Sequence, residues 1–373
     1  MICFTWWGLT QYAARAIEAF NKVSKESVCV VATRPQSSPV KGMERILTCP
    51  IVWVEENDTD YLPQLPELPR VIFVSNWNLP CWKTLERAVK ANGGKTIAMV
   101  DTNCVCLSDV GGLRLRWSDV KIWLRQLVQA VRFRVKIRSR FDAFFVVGAS
   151  GAKLMRLYGV PRGKVFQGLY GADSSLFTNG IPLAERPKKI IYVGQFIERK
   201  NVRRLVQAFA RLVSRYPDWS LDLYGAGTLA SELNQAISQC VLSNFGESGL
   251  NNQGICLHPF CQPEQLPSKY QLARIFVLPS FEEHWGVVVH EAALCGCCLA
   301  LSDRVGAADD FATVENAARF DPQSVVAMTH ALEHLMEFDG DELERAQAKS
   351  VELAQNFGLH RFVKSATEIC SQV

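Results

Sequence analysis

Phe276-Val-Leu-Pro-Ser-Phe-Glu-Glu283-His-Trp-Gly286-Val-Val-Val-His-Glu291-Ala-Ala-Leu-Cys-Gly296 reads as a strand, a turn and a helix in succession. The apolar run ending at Leu278 has the composition of a buried strand, and Pro279-Ser280 closes it. A short polar turn follows, and a helix is expected over Val287–Cys295. That order delivers the side chains of the turn to the carboxyl edge of a strand, where open α/β sheets bind their ligands. Gly286 lets a ligand approach the backbone closely. The free N–H groups that begin the helix, at Val287 and Val288, favour an anion.

The same alternation extends in both directions. In the first half, strands are expected at Ile2–Trp6, Val28–Ala32, Ile51–Val54, Val71–Val74, Thr96–Val100, Ala143–Val147 and Val165–Phe166. Helical periodicity runs through Leu9–Val23, Trp82–Ala91, Val120–Arg140 and Ala149–Tyr158. Continuous apolar strands separated by helices predict a parallel sheet covered on both faces. Residues 174–187 are turn-rich and apolar-poor, as a linker is. The pattern then restarts, with strands expected at Lys189–Val193, Leu221–Tyr224, Ile255–Leu257, Ile275–Leu278 and Cys298–Ser302. Helices are expected at Val202–Tyr216, Leu229–Leu242, Pro263–Leu272, Val287–Cys295, Ser324–Glu337 and Asp341–Asn356. The predicted fold is α/β, with two doubly wound Rossmann-like domains facing a central cleft. The boundaries are 1–180, 181–355 and a C-terminal helix, 356–373, packing back on the N-terminal domain.

Size and composition agree with two ordinary globular domains. The chain has 373 residues, 48% hydrophobic and 21% charged, enough for two cores. No apolar run is long enough to cross a bilayer as a helix. Met1–Gly8 lacks a basic leader and reads as a first strand rather than a signal peptide. The thirteen cysteines sit largely in apolar runs, so reduced thiols acting as small core residues are expected. Cys104/Cys106 and Cys295/Cys297/Cys298 approach metal-ligand spacing without forming paired sets, so no metal site is expected. A net charge of +4 does not by itself imply nucleic acid.

Within the opening stretch, Glu291 is placed to accept hydrogen bonds from a ribose. Glu283 is placed to reach a sugar or to stabilise positive charge developing on it. The plainer reading makes one an acid complementing a helix dipole and the other a solvated surface residue. The Glu-x7-Glu spacing in Glu-Glu-His-Trp-Gly-Val-Val-Val-His-Glu-Ala resembles the donor-site signature of retaining GT-B glycosyltransferases of family GT4, which includes many bacterial polysaccharide and O-antigen enzymes. Ser302-Asp-Arg-Val-Gly-Ala-Ala-Asp309 resembles the segment that follows it. Ile191-Tyr-Val-Gly194-Gln-Phe-Ile-Glu-Arg-Lys200-Asn-Val-Arg-Arg-Leu-Val-Gln-Ala-Phe209 resembles the first strand, glycine loop and helix of the family's C-terminal domain, and Tyr224-Gly-Ala-Gly227 a further glycine turn. The likeness is strongest over about residues 188–340. In the first half it rests on Phe141-Asp-Ala-Phe-Phe-Val-Val-Gly148 and on Gly171-Ala-Asp173 through Phe177.

The resemblance implies a nucleoside-diphosphate-sugar donor, retention of configuration and no metal. It assigns donor contacts to Gly194, Gln195, Arg199, Lys200, Gly225, His284, Trp285, Gly286, Val287, Val288 and Glu291. Lys200 would meet the diphosphate, a cation stabilising charge on the leaving nucleotide. Gln195 stands where the family has Arg, which puts the details of phosphate binding in question; Arg199 is the available compensating cation. All six histidines lie in the second half, so the N-terminal histidine of many family members is missing. Asp101, after the strand Thr96–Val100, is the candidate to orient or deprotonate an acceptor hydroxyl, or else a strand-end turn residue. His284 is the histidine expected to be functional, and His330 and His334 are expected on a helix surface. Glu283, Lys200 and Asp101 are thus the candidate catalytic residues.

Arg114–Arg140 holds nine Arg or Lys and one acid, Asp119, interleaved with Trp117, Trp123, Leu124, Leu127, Val128, Val131 and Phe133. Such a basic amphipathic helix suits an anionic membrane surface, or packs on its own sheet with a solvated basic face. No nucleic-acid motif accompanies it. The expected enzyme is cytoplasmic, peripheral on the inner face of the plasma membrane, transferring a hexose to a lipid-linked surface glycan. The rival readings are another GT-B enzyme, an epimerase or phosphorylase, and a silent nucleotide-binding partner.

Overall fold

The computed structural model describes residues 1–34, 45–102, 117–245 and 254–373, with the side chains of 117–123, 126 and 240–245 outside the description. The Cys104/Cys106 pair and the start of the basic segment therefore lie outside the described residues. The chain divides into two units. One holds the described residues of Met1–Cys104, Val120–Asp173 and Phe357–Val373, and the other holds those of Val105–Asp119 and Ser174–Asn356.

In the first unit, β1 (Ile2–Trp6), α1 (Gln11–Asn21), β2 (Val28–Ala32), β3 (Ile51–Trp53), β4 (Val71–Val74), α2 (Pro80–Ala91), β5 (Lys95–Val100), α3 (Trp117–Lys136), β6 (Ala143–Val146), α4 (Ala149–Leu157) and β7 (Val165–Gln167) follow one another. The described strands form a parallel sheet of order β3-β2-β1-β4-β5-β6-β7. Its central strands β1, β2 and β4 are fully buried and almost wholly apolar, as strands covered on both faces are. Ala13, Ala16, Ile17 and Phe20 of α1 are buried, the spacing of one helix face. Phe4 stacks on Phe73 with centroids 4.5 Å apart, at the centre of the sheet.

The second unit contains β8 (Lys189–Val193), α5 (Val202–Ala210), β9 (Ser220–Tyr224), α6 (Ala230–Phe245), β10 (Ile255–His258), α7 (Leu266–Tyr270), β11 (Ile275–Leu278), α8 (Val287–Leu294), β12 (Cys298–Ser302), α9 (Ala308–Phe311), β13 (Ala317–Phe320), α10 (Val325–Met336) and α11 (Gly340–Gln355). Its parallel sheet has the order β10-β9-β8-β11-β12-β13. That is the Rossmann order, which reverses between β8 and β11. The last helix, α12 (Leu359–Gln372), belongs to the first unit. Its Phe362 is fully buried, with its ring 5.7 Å from Phe4 and 5.3 Å from Phe145.

Several elements differ from the sequence expectation. β13 and the single turn α9 were not expected. β13 is a partly exposed edge strand with no continuous apolar run. α5 stops at Ala210, six residues short of Tyr216, and the chain continues in tighter turns that bond Arg211 N–H to Ala208 O and Leu212 N–H to Phe209 O. The turn-rich 174–187 stretch is anchored rather than loose. Arg186 is 1% exposed, and its guanidinium donates to the carbonyls of Ile181 (2.8 Å), Ala273 (3.0 Å) and Cys295 (2.8 Å). A buried cation is tolerated there because backbone oxygens satisfy it.

Candidate donor site

The loops after β8 and β11 leave the sheet on either side of the point where strand order reverses, so they must diverge and leave a crevice. The loop after β8 carries Gly194, Gln195, Arg199 and Lys200. The loop after β11 carries Ser280, Glu283 and Gly286.

The glycines of a third loop, after β9, explain how close it lies to the loop after β8. A Cβ on Gly225 would sit 1.9 Å from the carbonyl oxygen of Gly194. A Cβ on Gly227 would sit 2.3 Å from the carbonyl oxygen of Phe196. The two loops instead bond backbone to backbone: Gly194 N–H donates to Tyr224 O (3.0 Å) and Phe196 N–H to Ala226 O (2.9 Å). Beneath them the buried Tyr192 hydroxyl donates to Gln195 O at 2.9 Å. Burial, and then the nearby Glu283 charge, hold that phenol well above its ordinary pKa.

Asn201 fixes the far end of the β8 loop. It adopts the left-handed conformation (φ 58°, ψ 29°) and ends the turn Glu198–Lys200 where α5 begins. Its side-chain amide donates to Pro279 O (3.0 Å) and Pro322 O (2.8 Å), so one buried residue joins the loops after β8, β11 and β13. The sequence reading missed Asn201. Its signal was a short amide in a tight turn, the type that tolerates left-handed backbone.

Lys200, 8% exposed, points into the crevice and donates to Glu283 Oε2. Arg199 Nη1 lies 3.6 Å from the same oxygen and donates to Glu282 O at 2.6 Å. Ser280 Oγ is 3.4 Å from it. The Glu283 backbone is bonded into the loop after β12: its N–H donates to Arg304 O (3.1 Å) and its carbonyl accepts from Gly306 N–H (3.1 Å). Gly286 caps α8 with φ 101°, a conformation open to glycine. Behind it Glu291 is buried and accepts from Tyr270 Oη at 2.9 Å. Burial pushes its carboxyl up to about 7, against the lowering effect of the Tyr270 bond.

The remaining candidates divide clearly. Gln195 and His284 are exposed, and Val287 and Val288 are half-buried at the helix start. Trp285 is 1% exposed and faces inward: its indole donates to Asp310 Oδ2 (2.7 Å) and packs on Phe311. His290 is buried against Phe311, with Nε2 2.9 Å from Ala354 O. His330 and His334 are exposed on α10. Asp101, exposed at the end of β5, belongs to the first unit and accepts from Tyr170 Oη at 2.6 Å.

Cys295, Cys297 and Cys298 are fully buried core residues. Elsewhere Asp222, Cys256 and His258 bring ligand atoms within 4.8 Å of one another. There Lys189 Nζ is 2.7 Å from Asp222 Oδ2 and supplies a cation of its own.

Two doubly wound parallel-sheet units are the architecture of the GT-B fold. Residues 177–352, within the second unit, match the family model described as "Glycosyl transferases group 1". A D-inositol 3-phosphate glycosyltransferase of Corynebacterium urealyticum is 31% identical over 169 residues, 45% of this chain and 39% of that protein. The O-antigen chain mannosyltransferase B of Escherichia coli is 31% identical over 172 residues, 45% of this chain and 41% of that protein. The matched stretch thus spans about two fifths of these curated relatives. Among solved structures, Anabaena HepE in complex with UDP superposes with a TM-score of 0.71 at 13% identity, covering 100% of both chains. Sucrose-phosphate synthase from Thermosynechococcus elongatus does so at 0.68 and 16%, covering 100% of this chain and 99% of that one. At such identities the likeness establishes the fold.

Proposed function

We propose that this chain is a glycosyltransferase that moves a hexose from a nucleoside-diphosphate sugar to a glycan hydroxyl with retention of configuration. The observation that carries the reading is the meeting of Lys200 and Glu283 across the strand reversal of the second sheet. An ammonium and a carboxylate held there have opposite uses for one ligand. The donor diphosphate competes for Lys200, with Arg199 beside it, and the N–H groups of Val287 and Val288 meet the phosphates. Glu283, released from part of its pairing, then faces the positive charge that develops at the sugar. Glu291, oriented by Tyr270, takes the ribose hydroxyls. In this scheme the two cations and the helix N–H groups do the work of a divalent ion. The leaving diphosphate accepts the acceptor proton on the face it departs from, and Asp101 orients the acceptor hydroxyl.

The names of similar proteins support a sugar nucleotide as donor and a glycan chain as acceptor: HepE is also solved with UDP-glucose, and one relative is an O-antigen chain mannosyltransferase; a lipid-linked surface glycan is the acceptor in this proposal. The test is a thermal-shift screen of UDP-, GDP- and ADP-sugars, followed by NMR of the anomeric proton of the product. Stabilisation by one donor class and a product of the donor's own anomeric configuration are expected. An inverted product removes retention, an epimerised donor with no acceptor consumed points to an epimerase, and no stabilisation by any donor removes the reading. Asp101→Asn, assayed alongside, is expected to lower turnover and leave donor binding unchanged; full turnover would remove its role.

A further inference from the structure

Helix α3 has two apolar faces, and only one is used inside its unit. Ala130 and Phe133 are buried, with the Phe133 ring 4.9 Å from Tyr158 and 5.5 Å from Phe144. Arg134 and Arg138 complete that attachment by donating to the carbonyls of Leu157 and Gly159, both at 3.1 Å. The other face carries Leu124, Val128, Val131 and Val135, which are 49%, 61%, 63% and 71% exposed. Steps of four, three and four residues place them in one narrow stripe along the helix.

The flank of that stripe is basic. Arg125, Arg132 and Lys136 are exposed and follow the same helical rows one step round. None of the three makes a hydrogen bond or ion pair with a described residue, unlike Arg134, Arg138 and Arg140, which are engaged within the unit. From Leu124 to Phe141 the sequence contains no Asp or Glu. An exposed aliphatic stripe beside unpaired cations is the pattern of a helix lying in the plane of an anionic bilayer, side chains in the acyl boundary and cations among the headgroups.

We infer that α3 docks this protein on a membrane surface rich in anionic lipid. Charge complementarity selects that occupant. A second copy of the chain would bring the same cations against this flank, like charge on like charge. A nucleic acid would satisfy the cations and leave four aliphatic side chains against phosphates and water. No described helix is long and apolar enough to cross a membrane, so the contact is a surface one. The inference does not rest on the donor chemistry, and its test contains no sugar nucleotide.

The test is flotation of the full chain with vesicles of phosphatidylcholine alone and of phosphatidylcholine mixed with phosphatidylglycerol. The wild type is expected to float with the anionic vesicles at low salt and to be released by high salt. The triple variant R125E/R132E/K136E is expected to lose about a hundredfold in partitioning, roughly fivefold or more per cation. The variant V128S/V131S/V135S keeps the charge and is expected to lose about tenfold. All six positions are exposed, so melting midpoints should match the wild type. If a triple variant melts early, Arg132→Glu and Val131→Ser alone replace it. A wild type that stays unbound, a serine variant that floats like the wild type, or a dimer that either variant dissociates in the absence of lipid would each overturn the inference.

Discussion

The Lys200 ammonium donates to the Glu283 carboxylate across 83 residues of sequence, and the two residues leave the sheet on opposite sides of its strand reversal. Both side chains are about nine-tenths removed from solvent, 11% and 13% exposed. Taking charges out of water costs free energy, and removing one partner of such a pair leaves the other uncompensated.

This pairing alters what substitution at either residue should do. From sequence alone, replacing either with alanine is expected to cost little folding stability. With the pair formed, Lys200→Met or Glu283→Gln is expected to destabilise by about 2 kcal/mol, moderated by Arg199 at 3.6 Å from the same carboxylate. The double variant removes both charges and should recover much of that stability. Transfer is expected to fall about a hundredfold or more in all three. Denaturant midpoints and turnover measured together separate the roles. Restored turnover in the double variant would make the pair structural only.

Asn201→Ala removes the amide that ties Pro279 and Pro322 carbonyls together and puts alanine in left-handed backbone. Two buried acceptors lose their donor, so a loss of about 3 kcal/mol is expected in the denaturant midpoint. A loss under about 0.5 kcal/mol, the range of ordinary surface changes, would mean that other groups hold these loops together.

Gly225→Ala places a methyl group where the Gly194 carbonyl already lies, and backbone is what must move. Stability is expected to fall by about 1–3 kcal/mol. Because the displaced segment is the β8 loop itself, donor affinity should fall as well. Calorimetric donor titration that matched the wild type would separate Gly225 from the site.

Burial raises the Glu291 carboxyl to about 7 in the folded chain, above the 4.5 of an unperturbed Glu. The folded state therefore binds a proton more tightly than the unfolded one. Its contribution to stability is full below about 4.5 and is lost as pH rises through about 7. Each pH unit between those two values is worth about 1.4 kcal/mol, so the loss is on the order of 3 kcal/mol. Glu291→Gln keeps an acceptor for Tyr270 and has no proton to lose. Urea unfolding across this pH range should show a downward slope in the wild type that flattens in the variant. Identical slopes would contradict the assignment.

Much of this architecture was legible in the sequence because buried parallel strands are short unbroken apolar runs. β1, β2, β4, β8, β11 and β12 appear at the residues the composition marks. The missed β13 has Arg319 exposed and its first two residues half-buried, so its only signal was a short edge with one buried Phe320. At the site, residue type and spacing marked Lys200, Glu283 and Glu291. They did not reveal that Lys200 and Glu283 pair, because a contact across 83 residues depends on strand order rather than on any local pattern. Nor did they reveal that Trp285 points inward: a Trp beside a glycine reads the same whether it lines a crevice or fills a core, and Asp310 decides the matter from 25 residues away. Asn201 and Tyr270 act by holding backbone and a carboxylate, which a sequence records only as one amide and one aromatic among many.

In the proposed function, the crevice between the β8 and β11 loops binds a nucleoside-diphosphate sugar through Lys200 and Glu291. Isothermal titration calorimetry of the full chain with UDP-, GDP- and ADP-sugars, repeated on Lys200→Met and Glu291→Gln, tests it most directly. One donor class is expected to bind the wild type with 1:1 stoichiometry and to bind each variant at least about tenfold more weakly, the cost of one lost charge-assisted hydrogen bond. Unchanged affinity in both variants, or no binding of any sugar nucleotide to the wild type, would contradict it.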